Sequence, residues 1–252
     1  MSNKPGLADK PHIALLPGLD GTGELFFPIL PLLRDRFEVH VLSYGDECSF
    51  DHYVASAAEQ LPRQVSLSLV AESFSGPIAI RLLAEKKFDF GPSVLSATFC
   101  RSPLPMLSRL AAFMPEKLFG SHALSRVVVD SWVTGSAAAP ELADKARDLL
   151  QRVGPGTFKR RIGIVADVDV SAELKTIGVP LLYIQAARDR VVFADSGAEI
   201  LRHAQNIRLE KVDGSHMILQ TRPAECAELI IAHVLGRRSP DTGRTKPFTG
   251  GS

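Results

Sequence analysis

Hydrophobic positions along the chain follow two alternating rhythms. Short apolar runs rich in β-formers recur at residues 12–16 and 37–43, around Leu67, Leu69 and Val70, and at 93–100, 179–185 and 206–212. Each is too short for a helix and reads as a strand. Between them lie segments whose apolar residues recur every three to four positions: 24 to about 34, 50–63 with Ser49 or Asp51 as its N-cap, a stretch carrying Ile78, Leu82 and Leu83, 193 to about 203, and 223–235. Strands alternating with helices predict an α/β fold, a mostly parallel central sheet flanked by helices with right-handed crossovers.

The alternation breaks after residue 100. From 101 to 176 no strand pattern occurs, and helical patterns at 103–114, 121–132, 140–153 and 155–164 are separated by Gly and Pro. A connection of about 75 residues is far too long for an ordinary loop, so it reads as a structured insertion. The expected organisation is a core of residues 11–100 and 177–236, a helical insertion at 101–176, and flexible tails at 1–10 and 237–252, the latter polar and rich in Gly, Pro and Thr. The insertion is more apolar than a solvated helical hairpin requires, with Phe113, Met114 and Trp132 among its large side chains. Most of these serve to hold the insertion to itself and to the sheet. The run Lys159-Arg160-Arg161 reads as a solvated helix face, with recognition of a phosphate or an acidic carrier protein as the alternative.

Composition narrows the partners. With 252 residues, 45% of them apolar, and a net charge of +1, the chain is a well-buried globule with no electrostatic reason to seek nucleic acid or an anionic membrane. No apolar run is long enough for stable membrane insertion, and the polar start lacks the layout of a signal peptide, which places the expected location in the cytoplasm. Three scattered cysteines, Cys48, Cys100 and Cys226, suit neither a disulfide framework nor a metal site and read as small buried hydrophobes. Oligomeric state leaves no mark on the sequence.

The chemistry gathers where strands end. Between the strand at Leu67–Leu69–Val70 and the helix bearing Ile78 there is room only for a very tight turn, with Ser73 at its centre and the small residues Ala71, Ser75 and Gly76 around it. A serine so placed projects its hydroxyl at a helix N-terminus, where unpaired N–H groups favour developing negative charge. Active sites of open α/β sheets collect at the carboxyl ends of strands. The polar groups that follow strands in this way are Ser73, Asp189 and His216. A serine hydroxyl needs a base with a pKa near the working pH, and an imidazole needs a carboxylate to hold its tautomer. Asp167, Asp169 and Asp213 are rival acids, Ser75 is a rival nucleophile, and Glu72 reads as a satisfied carboxylate on the surface side, with orienting a residue of the insertion or a substrate as the alternative. A glycine-rich stretch, Pro17-Gly18-Leu19-Asp20-Gly21-Thr22-Gly23, follows the first strand; its spacing fits neither a phosphate-binding loop nor a dinucleotide fingerprint, and a plain turn is the alternative.

Ala71-Glu72-Ser73-Phe74-Ser75-Gly76 resembles the nucleophile elbow of the α/β-hydrolase family, with Ala71 and Ser75 where that family usually has glycine. The order Ser, Asp, His, the turn containing Asp189 and the loop Gly214-Ser215-His216 resemble the same family. The resemblance implies Ser73 as nucleophile, His216 as base and Asp189 as its carboxylate, with the backbone N–H groups of Leu19 and Phe74 forming an oxyanion hole. It also implies a cap formed by the insertion, with Phe113, Met114, Trp132 and Met217 as candidate substrate contacts. The overall pattern is similar to small bacterial carboxylesterases and pimeloyl-carrier-protein methyl ester esterases. The implied activity is hydrolysis of a small-molecule carboxylic ester through an acyl-serine, with no cofactor and no metal. A thioesterase, an acyltransferase, a C–C hydrolase, a cofactor-free haloperoxidase or a ligand receptor on the same fold are the alternatives.

Overall fold

The computed structural model describes residues 10–103, 129 and 139–236. The patterns at 103–114 and 121–132, the tails, and Phe113, Met114 and Trp132 therefore lie essentially outside the described residues.

Six strands, β1 (His12–Leu16), β2 (Glu38–Val41), β3 (Leu67–Glu72), β4 (Ser93–Ser96), β5 (Leu181–Ala186) and β6 (Ile207–Val212), form one sheet in the order β2-β1-β3-β4-β5-β6. All five pairings are parallel. The strand-to-strand register places Leu16 beside Ala71, Glu72 beside Ser96, and Ala186 beside Val212. The loops that follow β1, β3, β5 and β6 therefore leave the sheet along one edge.

Side chains alternate across the two faces, as a pleated strand requires. Ala14, Leu69, Ala71 and Tyr183 face one apolar layer together with Val54 and Ala57 of α2 (Phe50–Gln60), Ile78 and Leu82 of α3 (Ser75–Glu85), and Ile200 of the helix Ala194–His203. Ile13, Leu15, Val70, Leu182 and Ile184 face the other, with Leu33 of α1 (Leu30–Arg34) and Ile230 of the C-terminal helix Pro223–Val234. Among the described residues the remaining α-helices are, in chain order, α4 (Pro140–Val153), α5 (Pro155–Asp167), α6 (Ala194–His203), α7 (Ile218–Thr221) and α8 (Pro223–Val234). A sheet covered on both faces explains the nearly continuous apolar runs of its central strands.

Several element ends differ from the expected ones, for local reasons. The helix expected at 24–34 is broken into a 3₁₀ turn, Glu24–Phe26, and α1, because Pro28 has no N–H to continue the ladder. Helix α2 stops at Gln60 because Leu61, which precedes Pro62, is extended; Ser49, not Asp51, caps it by accepting from the His52 N–H. Strand β4 ends at Ser96 because Ala97 turns to a φ of 44° and the chain leaves the sheet. Strand β5 begins only after Pro180, whose carbonyl accepts from the Ser93 N–H.

Between β4 and β5, α4 matches its expected span and α5 runs three residues further, to Asp167. Helix α4 packs Leu142, Ala146 and Leu149 against Leu25, Val129 and Met217. At the rim of that contact Arg152 makes a two-pronged bond to Glu24, at 3.0 and 2.8 Å, and Lys145 lies 3.2 Å from the same carboxylate. Among the described residues no helix is long and apolar enough to cross a membrane.

Candidate active site

Strand β3 runs straight into α3, and the turn between them is held at one residue. Ser73 has a φ of 48°, in the left-handed region, the only positive φ in the turn. For a residue with a β-carbon this stores strain of about 1–3 kcal/mol, which the surroundings must hold. They do so with a ring of hydrogen bonds: the Ser73 N–H donates to Ser96 at 3.0 Å, and its carbonyl accepts from the Gly76 N–H at 3.0 Å and from the Thr98 hydroxyl. The price in sequence is at Gly76, where a β-carbon would sit 1.9 Å from Thr98 Oγ1. Ala71 and Ser75, the two departures from the glycine pattern, are both fully buried without such a clash.

His216 and Asp189 come from the loops after β6 and β5. The Arg188 N–H donates to the Gly214 carbonyl at 2.9 Å, joining the two loops. His216 Nε2 lies 2.8 Å from Ser73 Oγ, and Nδ1 lies 2.8 Å from Asp189 Oδ2. The other carboxylate oxygen, Oδ1, accepts the N–H groups of Val191 and Val192, both at 2.8 Å. With its side chain only 4% exposed and three donors on it, Asp189 is a fixed acceptor. An acceptor at Nδ1 assigns the ring proton to that nitrogen and leaves Nε2 free to accept from Ser73.

The rivals are occupied elsewhere. Asp213 pairs with Arg188 at the surface, and Asp169 with Arg101 and Ser171. Of the other histidines in the chain, His12 and His40 stack on each other, and His52 lies beside Cys48 at the start of α2. Ser75 is fully buried in a structural role: its hydroxyl donates to the Pro17 carbonyl and accepts from Tyr44 Oη at 2.8 Å. Burial pushes the Tyr44 phenol well above its ordinary value, which keeps it a donor.

Loop 17–21 is fixed through its carbonyls. Pro17 is bound by Ser75, Gly18 accepts the Gly21 N–H at 3.0 Å, and Leu19 and Asp20 accept Arg161 Nη1 at 2.8 and 2.7 Å. Arg161 also reaches the Gly45 carbonyl at 2.8 Å, the Tyr53 hydroxyl at 3.0 Å, and the face of the Tyr53 ring. At 1% exposure it is not part of a solvated helix face, as the basic run suggested. The run splits by helical phase: Arg161 points into the core, while Arg160 pairs with Asp46 at the surface. Gly21 fits under the guanidinium only because it lacks a β-carbon, which would lie 2.5 Å from Nη1.

Two further expectations are corrected. Glu72 is not on the surface: it is 6% exposed and accepts from Gln220 Nε2 at 2.9 Å. Cys48 is exposed rather than buried, because it precedes the cap of α2, whereas Cys100 and Cys226 are buried. Met217 lies next to His216 and is packed among Leu25, Val129, Leu142 and Leu149. A surface groove is lined by Phe50, Arg81, Arg160, Ile164 and Asp167; Ser73, Asp189 and His216 are not part of it. Among the described residues no three His, Cys, Asp or Glu side chains are placed to hold a metal ion.

Comparison with known proteins agrees with this architecture. The sequence model described as the alpha/beta hydrolase family matches residues 13–229. No curated protein matches the chain in sequence. Among solved structures the chain is similar to the enol-lactonase from Burkholderia xenovorans LB400, at 18% identity and a TM-score of 0.78 over 90% of this chain and 92% of that one. It is also similar to a bromoperoxidase from Bacillus anthracis, at 15% identity and a TM-score of 0.77 over 90% and 92%. A third is the 2-hydroxy-6-oxo-6-phenylhexa-2,4-dienoate hydrolase from Rhodococcus sp. strain RHA1, at 17% identity and a TM-score of 0.72 over 89% and 90%. At these identities the likeness is one of fold.

Proposed function

We propose that this chain, which belongs to the alpha/beta hydrolase family, is a serine hydrolase that cleaves carboxylic esters through an acyl-serine intermediate. The observation that carries the proposal is the unbroken hydrogen-bonded chain from Asp189 through His216 to Ser73, 2.8 Å at each link.

The chemistry follows from that chain. Ser73 Oγ attacks the ester carbonyl while its proton passes to His216 Nε2, and Asp189 steadies the imidazolium that results. The tetrahedral oxyanion is held by the N–H groups of Leu19 and Phe74, each such donor lowering the barrier by about 3 kcal/mol. Supporting this, the carbonyls of residues 17–20 are all occupied, and no hydrogen bond among the described residues uses the N–H of Leu19 or Phe74. His216 then gives its proton to the departing alkoxide, releasing the alcohol. Water, deprotonated by the same nitrogen, attacks the acyl-serine and frees the acid and the serine.

In this reading α4 and α5 belong to a cap beside the site. Met217, packed beside the base, contributes a wall of the acyl pocket.

Steady-state hydrolysis of p-nitrophenyl esters from acetate to palmitate, for wild type beside Ser73→Ala, tests the proposal. Turnover with an optimum chain length that disappears in the variant is expected. Folded wild type inactive on every ester would overturn the esterase reading.

A further inference from the structure

The residue before the serine and a residue on the far side of the histidine share one buried contact. Glu72, the last residue of β3, and Gln220, on α7, are 6% and 4% exposed, and Gln220 Nε2 donates to Glu72 Oε2 at 2.9 Å. The other oxygen of each group, Glu72 Oε1 and Gln220 Oε1, is buried without a partner. An ionised carboxylate and an amide carbonyl are both acceptors only, so with Glu72 charged neither orphan could satisfy the other. One proton on the carboxyl removes both orphans, because a carboxylic acid and a primary amide have complementary donor and acceptor edges.

We propose that in the resting protein Glu72 is a carboxylic acid whose Oε1–H is donated to Gln220 Oε1, and that this acid–amide pair positions the His216 loop against the serine turn. The surroundings favour the neutral form. Burial is the largest influence on the carboxyl and pushes it up to about 7. Asp20 in the loop after β1 and Asp189 in the loop after β5 raise it further, while Gln220 on α7 and His216 after β6 pull the other way. From α8 the neighbour is the Cys226 thiol, itself held up by burial and therefore uncharged. Among the described residues the main influences on Glu72 include no arginine or lysine.

The position gives the proton a use. Glu72 is joined to Ser73 by one peptide bond, and Gln220 follows His216 by four residues, so the pair ties the nucleophile's turn to the base's loop. It also keeps the carboxyl beside the serine neutral. Loss of that proton places a negative charge next to the developing oxyanion and leaves both orphan oxygens without a partner. The positioning role rests on the serine-hydrolase reading; the protonation state does not.

Infrared difference spectra of the whole chain, wild type against Glu72→Gln, read the proton directly. At pH 6 the expected difference is the carbonyl stretch of a protonated carboxylic acid, fading as the pH rises through neutrality. Superimposable carbonyl regions at pH 6 would overturn the proposal, whether or not the protein hydrolyses esters. Gln220→Leu is the second variant and needs no intact Glu72→Gln: it strips the acid of its partner, and the same band should move to higher frequency. An unmoved band overturns the pairing. In turnover, wild-type kcat/KM should fall several-fold between pH 7 and pH 9, and Glu72→Gln should lose that alkaline limb; identical profiles would remove the positioning role.

Discussion

Arg161 donates to the carbonyl oxygen of Leu19 at 2.8 Å, so helix α5 holds the loop that follows the first strand. Among the described residues the guanidinium meets backbone carbonyls and a tyrosine and no carboxylate, an arrangement in which a fixed, planar set of donors matters more than charge pairing. Because those carbonyls point at Arg161, the opposite edges of the same peptide units are turned away from it. Arg161 thus ties α5 to the loop after β1 and to the chain that follows β2.

Replacing Arg161 with Met should therefore affect both fold and rate. At least three part-buried carbonyls lose a donor, and the expected loss of stability is about 2–4 kcal/mol by urea titration. If the loop carries an oxyanion donor, kcat should drop more than KM rises, since the lost interaction belongs to the transition state. Arg161→Lys keeps the charge but not the fork, and should recover little of kcat. Full recovery with Lys would assign the effect to charge alone.

Gly76 offers a sharper structural test. A single methyl at this position collides with Thr98 Oγ1, whose hydroxyl is bonded to the Ser73 carbonyl. Gly76→Ala should destabilise by about 2–3 kcal/mol and displace the serine, lowering turnover by an order of magnitude or more. Adding Thr98→Ser removes the branch methyl that lies 2.6 Å from the new carbon, and should restore part of the stability. Strict additivity of the two changes would show that the contact is not the cause.

What could be read from the sequence is explained by which features are local. The six strands, their alternation with helices, and Ser73, Asp189 and His216 were legible because each depends on a short run and on its place after a strand. Glu72, Ser75 and Arg161 were misread or left without a role because their meaning lies in partners 148, 58 and 142 positions away along the chain. Helical phase alone could have shown that Arg160 and Arg161 leave α5 in different directions. Nothing in the run itself says which of them meets backbone carbonyls. Likewise Ser75 looked like a misplaced glycine until Tyr44 and Pro17 supplied the reason for its hydroxyl.

Asp189→Asn separates orientation from charge. Asn keeps an oxygen for the Val191 and Val192 N–H groups, so the turn should survive. Its NH₂ then faces His216 Nδ1 and donates, which moves the ring proton to Nε2, the nitrogen that must accept from Ser73. On the proposed mechanism kcat should fall by roughly 10⁴ with little change in the unfolding midpoint. A loss below tenfold would mean that Asp189 does not set the tautomer.

The proton on Glu72 also makes a prediction about stability that needs no substrate. The folded state raises this carboxyl from 4.5 to about 7, so between those values the native chain holds a proton that the unfolded chain has released. Stability from this group is then fully present at low pH, declines as pH rises from about 4.5 to about 7, and is flat above. The whole decline is on the order of 3 kcal/mol. Glu72→Gln carries no titrating group, so the difference in unfolding free energy between the two proteins isolates the effect, other groups cancelling. Urea titrations at half-unit steps from pH 5 to pH 8 should show wild type losing ground to the variant until about pH 7, after which the difference is constant. Parallel curves across that window would mean that Glu72 is already ionised in the native state.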